Sequence, residues 1–167
     1  MEHTQSRRKT EEGVALLVRR YPALAAHMRY DTDAHGNAFC ELTLPNTQNP
    51  AEPLTVQVTE DGCLLSFGAV EEVTGNAPIP AERMADAMAD ILSDRVVFLS
   101  VYQNEDAMLA RKASLCRVYR ADDPALDALT ARLSAPPRLF DRLFSPYRGL
   151  VTLTTFSGAG NRVFHRK

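Results

Sequence analysis

A chain of 167 residues, 45% apolar and 24% charged, is long enough for one domain with a sizeable core, and no segment approaches the roughly 18 consecutive apolar residues of a membrane span. The net charge of −2 conceals a strong asymmetry: residues 1–40 carry +1, residues 41–110 carry −10 and residues 111–167 carry +7. Between Glu41 and Ala110 the only cations are Arg83 and Arg95, so the middle of the chain is an acidic block.

The start, MEHTQSRRKTEEG, has charge but no apolar run of the kind a secretory signal needs, which places the protein in the cytoplasm. Residues 1–9 read as a flexible lead-in. Thr10 is positioned to cap a helix to about Arg20, with Val14, Leu17 and Val18 on one face and Arg19 and Arg20 in its last turn. Leu24 to Tyr30 is ambiguous between helix and strand and leans towards a strand entering the DTDAHGN turn. Phe39 to Leu44 alternates as a strand does, and PNTQNPAEP after it reads as an exposed loop.

Leu54, Val56 and Val58 alternate with polar residues before Glu60-Asp61-Gly62 turns the chain into CLLSF. Asp-Gly between two such runs predicts a hairpin, because glycine accepts the positive φ of a tight turn. The organising stretch follows, from Pro80 to Tyr102. Met84, Met88, Ile91 and Leu92, with Ala81 and Ala85 beside them, form one apolar helical stripe that must be buried. Val96 to Tyr102 (VVFLSVY) then predicts a central strand covered on both faces.

QNED reads as a turn, MLARKA is undecided, and Ala113 to Tyr119 predicts a strand able to pair with the central one. Asp123-Pro124 opens a second helix with Leu126, Leu129 and Leu133 on one face, and LFDRLF adds a short amphipathic turn. GLVTLTTF, a Ser157 to Asn161 turn and RVFH predict a final hairpin. Strands in runs, without regular βαβ alternation, favour an α+β domain over residues 1–167: an antiparallel-rich sheet of about six to eight strands with two or three packed helices.

No cofactor or metal is expected. His3, His27, His35 and His165 lack metal-ligand spacing, and Gly158-Ala159-Gly160 lacks the third glycine and helix of a nucleotide fingerprint. Cys40, Cys63 and Cys116 form no CxxC pair and read as small buried thiols in strands. Glu71 and Glu72 fall on opposite faces of an extended segment, which argues against a catalytic pair and for charge on an edge. Glu82, Asp86 and Asp90 lie four apart and form an acidic stripe, either neutralised by Arg83, Arg95 or the basic tail, or facing a basic partner. The arginine-rich end carries no nucleic-acid motif and the molecule as a whole is slightly acidic, so nucleic-acid binding ranks third among the functional readings.

The stretch from Cys63 to Glu105 (LLSFG, a short loop, MADAMADILSD, then VVFLSVYQNE) resembles small bacterial α+β proteins grouped with the immunity proteins of toxin systems. The resemblance implies a protein that is not an enzyme and that binds and blocks a toxin, often a nuclease with a basic cleft. The leading expectation is therefore a cytoplasmic binding module with no catalytic residues. Glu71, Glu72, Glu82, Asp86 and Asp90 are its candidate partner-binding residues, and a basic protein is the partner. The alternative is a small enzyme with a site near Tyr102, Asn104 and Glu105, at the end of the central strand.

Overall fold

A computed structural model describes residues 2–50, 52–68, 77–136 and 145–166, with side chains from residue 5 onward. The chain is α+β, and its described residues hold eight strands in two separate four-stranded antiparallel sheets, where a single sheet was expected. The chain divides into two compact units, residues 1–89 and 90–167.

In the first unit, helix α1 (Glu2–Arg20) leads through a 3₁₀ turn (Pro22–His27) into a meander of β1 (Met28–Thr32), β2 (Ala38–Leu44), β3 (Leu54–Thr59) and β4 (Gly62–Phe67). Leu24–Tyr30 is thus both of its alternatives, a helical turn and then a strand. Residues 2–9 are helical too, so Thr10 is no cap. It is fully buried within α1, and its hydroxyl donates to the carbonyls of Ser6 and of Ala38 on β2, each at 3.2 Å. Arg7–Glu11 and Arg8–Glu12 pairs at helical spacing support the early turns, at 2.9 and 3.0 Å.

α1 lies over β2, β3 and β4, and every second residue of β3 and β4 is buried. The Asp61-Gly62 hairpin forms as expected, with Val58 opposite Cys63 and Gly62 at φ +136°. The loop after β2 is less open than expected. Asn46 is buried there, accepting from the backbone of Gln48 and Asn49 and donating to the Glu52 carbonyl.

Helix α2 (Ala81–Leu92) begins in the first unit and ends in the second. Its stripe is buried as predicted at Met84, Ala85, Met88 and Ile91, while Leu92 is half-buried. Burial of that order contributes roughly 1.5–3 kcal/mol per large side chain.

The second unit is built on β5 (Val96–Tyr102), flanked by β6 (Leu115–Arg120) and β7 (Gly149–Thr154), with β8 (Arg162–Arg166) beyond β7. Val97, Leu99 and Val101 pack with Val151, Leu153, Tyr147 and the Leu126, Leu129 and Leu133 stripe of α4 (Pro124–Ser134). The opposite side chains Phe98, Ser100 and Tyr102 are also buried, so the central strand is covered on both faces. Asp123 caps α4 by accepting from Ala125 N–H at 2.8 Å. At the other end of α4 the buried Arg166 donates one guanidinium nitrogen to the carbonyls of Leu133 and Ala135, at 3.2 and 2.6 Å. QNED is a turn only in part: Asn104 accepts from Ala107 N–H at 2.8 Å and starts the short helix α3 (Glu105–Leu109).

Candidate functional site

The acidic stripe of α2 resolves into residues with different surroundings. Arg20 of α1 reaches Asp86 at 2.8 Å. Arg95 meets Asp90 at 2.6 Å, and Arg120 of β6 lies 3.7 Å from its other oxygen. Part of the stripe is therefore neutralised within the molecule, by Arg95 as anticipated and by Arg20 and Arg120, which are too distant in sequence to foresee. Asp94 accepts the backbone N–H of Ser157 at 2.9 Å and also its hydroxyl, which secures the turn between β7 and β8. Glu71 and Glu72, with the LFDRLF turn, lie outside the described residues.

Glu82 lines a small hollow with Leu16, Arg19 and Arg20 of α1 and also opens onto a groove of about 410 Å³ in the first unit. The groove follows from three local features. α1 brings Lys9, Glu12 and Leu16 over Val58 at the end of β3; the hairpin turn presents Glu60 and Asp61; and α2 begins with Pro80, Ala81 and Glu82 on the third side. A short bridge holds the turn against the start of α2, with Cys63 and Ile79 exchanging backbone hydrogen bonds at 2.8 and 2.9 Å. Glu12, Glu60, Asp61 and Glu82 thus converge on one concavity with a single lysine, Lys9, among its lining residues. Glu12 is also bound to Arg8 at its exposed edge. Sequence reasoning missed Glu60 and Asp61 because they look like ordinary turn formers. The Cys63–Ile79 bridge holds their turn against the start of α2, so that they line the same groove as Glu82.

Cys63 lies on the wall of this groove with its thiol buried. Burial first, and the Glu82 charge second, push its pKa up to about 11, so it keeps its proton at neutral pH. Cys40 is likewise pushed to about 11, mainly by burial. Cys116 departs from the expectation of three buried thiols, since it lies exposed on edge strand β6. A thiol-directed alkylating agent at pH 8 should therefore add once to the native protein, at Cys116, and three times after denaturation, as read by intact mass and peptide mapping. Rapid labelling of Cys40 or Cys63 in the native state would contradict their burial. The same shifts make stability fall as pH rises from 9 towards 11, because the unfolded chain releases thiol protons that the folded chain retains.

The second unit has its own cleft, also about 410 Å³, lined by Gln103, Asn104, Glu105, Asp106, Gly149, Leu150, His165 and Arg166. This is the end of the central strand that the alternative reading singled out. Asn104 and Glu105 line it, whereas Tyr102 is buried in the strand. His165 and Asp106 are additions that come from β8 and α3. Arg166 is committed to the end of α4, which fixes the wall it forms. No group of His, Cys, Asp and Glu able to hold a metal ion occurs among the described residues, and no helix there is long and apolar enough to cross a membrane.

Fold and grooves together define a protein of two antiparallel four-stranded sheets with an acidic concavity on the first unit. Neither a protein-family model, nor a curated protein, nor a solved structure matches the chain.

Proposed function

We propose that the chain is a non-enzymatic protein-binding module of the immunity type, which uses the acidic groove around Glu82 to engage a basic protein in the cytoplasm. The observation that carries this reading is the convergence of Glu12, Glu60, Asp61 and Glu82 from three elements, with Lys9 as the cation in the lining. The carboxylates give this concave surface a negative charge that an entering lysine or arginine complements. Such a field also speeds encounter with a basic partner. Asp86 and Asp90 extend the acidic surface along α2, each already shared with an arginine.

The test is affinity capture from a lysate of the source organism, at low and moderate salt, with the wild type and a Glu60→Lys/Glu82→Lys variant of matched thermal stability. A basic protein should be retained by the wild type, released by salt and bound at least about tenfold more weakly by the variant, a loss of about 1.4 kcal/mol or more. Retention that is indifferent to both salt and the charge reversal would count against the groove.

A second reading, a small enzyme, is favoured only by the cleft at the end of β5, where Asn104, Glu105, Asp106 and His165 meet. A small molecule that raises the melting temperature of the wild type but not of His165→Ala would move the function there.

A further inference from the structure

Strand β1 is an edge with no strand on its outer side among the described residues. It ends the first sheet, and all five of its residues are exposed, including Met28 at 42% and Tyr30 at 45%. It has no proline, and its register with β2 runs without a bulge from Met28–Leu42 to Thr32–Ala38. The opposite edge of the same sheet is partly closed, because Cys63 of β4 pairs with Ile79. The edge strands of the second sheet carry cations and no acids within the strands themselves; Arg120 of β6 is paired with Asp90 and Asp122 and Arg166 of β8 is buried against α4, which leaves Arg117 and Arg162 as their edge charges. Like charges facing one another across a pair are a common defence against edge pairing.

On β1 the charges do the reverse. The sequence reads Met28-Arg29-Tyr30-Asp31-Thr32, so a twofold axis at Tyr30 sets Arg29 of one strand opposite Asp31 of the other, twice. A shift of the axis by one residue sets Arg29 against Arg29 or Asp31 against Asp31. The backbone is phased for the same axis. The Asp33 backbone N–H donates to the Asn37 carbonyl across the β1–β2 turn at 3.0 Å, so the odd-numbered residues bond to β2 and Met28, Tyr30 and Thr32 direct their N–H and C=O groups to the open side. The outward Thr32 N–H is occupied by the Asp31 carboxylate at 2.9 Å, and Arg29 bonds Asp31 of its own strand at 3.1 Å. A second strand can take over both contacts.

We propose that β1 is a homodimerisation edge: two copies pair their β1 strands antiparallel about a twofold axis at Tyr30, with Arg29 and Asp31 forming reciprocal cross-strand pairs. Tyr30 then exchanges both backbone bonds with Tyr30 of the copy, and Met28 does so with Thr32. This extends two four-stranded sheets into one of eight strands and covers the exposed Met28 and Tyr30 side chains. The partner here is the chain itself, independent of any basic protein bound at the groove.

Sedimentation velocity from about 1 to 200 μM, a range suited to a small interface, is the test. The wild type should pass from 18.5 kDa to twice that mass. Arg29→Asp and Asp31→Arg should each weaken self-association at least about tenfold, because like charges then face one another. An equimolar mixture of the two variants should form a heterodimer, since every cross-strand pair becomes opposite in sign. The Arg29→Asp/Asp31→Arg double variant should dimerise again. A wild type that stays monomeric throughout, a dimer untouched by the single reversals, or a mixture that fails to associate would each overturn the proposal.

Discussion

Met88→Asp should abolish cooperative thermal unfolding. Met88 has no exposed surface and lies in the middle of the α2 stripe, between Met84 and Ile91, which are equally buried. Removing a buried methionine side chain costs about 2–5 kcal/mol from lost packing alone. The aspartate adds a carboxylate with no water, and it can stay there only by taking up a proton or dragging the helix out of its setting. Together these should exceed about 5 kcal/mol, the lower end of the whole stability of a chain of this kind. Circular dichroism should show a featureless, non-cooperative melt. Met88→Leu, which keeps apolar character and nearly the same volume, should cost less than about 1.5 kcal/mol. A sharp transition retained by the aspartate variant would mean that the stripe is not core.

Gly149→Ala should be the most damaging single methyl group in the second unit. Gly149 opens β7 at φ +94°, where a side chain is strained in any surroundings. A Cβ at this point would also fall on the Tyr102 carbonyl oxygen and 2.8 Å from that of Gln103, both backbone atoms that cannot rotate away. Relief requires β7 to move from β5, which disturbs the Tyr102–Leu150 register and the cleft that Gly149 lines. A loss of about 3 kcal/mol is expected, which lowers the melting temperature by roughly 6–12 °C in a chain of this size. A melting temperature within 2 °C or so of the wild type would show that the junction yields more easily than its geometry implies.

The elements that could be read from the sequence are those whose pattern is local and repeated. α2, β5 and α4 each carry an apolar period that leaves one arrangement possible, and Asp61-Gly62 announces its turn. α1 is legible only from Thr10, because its first turns are polar all round, with Ser6 and Thr10 rather than apolar residues on the buried face. The Arg7–Glu11 and Arg8–Glu12 spacings were the available signal. α3 is too short for periodicity, and only the Asn104 cap marks it. The division into two sheets was not legible, since strand character says little about which strand pairs with which. For the same reason the fate of the acidic stripe lay out of reach: Arg20 and Arg120 are brought to Asp86 and Asp90 by the fold. Glu82 is legible as a candidate, but Glu60 and Asp61 join it in one groove through tertiary contacts such as the Cys63–Ile79 bridge.

The two sheets impose different schedules on the chain as it folds. In the first, every strand pairs with its neighbour in sequence, so each hairpin closes a short loop at small entropic cost. In the second, β5 takes one partner from β6 and the other from β7, so that Phe98 must find Thr154 across the whole of α4 and the segment after it. Long closures of that kind are slow. During synthesis the meander can assemble while β7 is still unmade, and β5, apolar on both faces, waits longest for its second neighbour. Pulsed hydrogen exchange should accordingly find amides of β2 and β3 protected before those of β7, and the interval between them is when the chain is most exposed to aggregation.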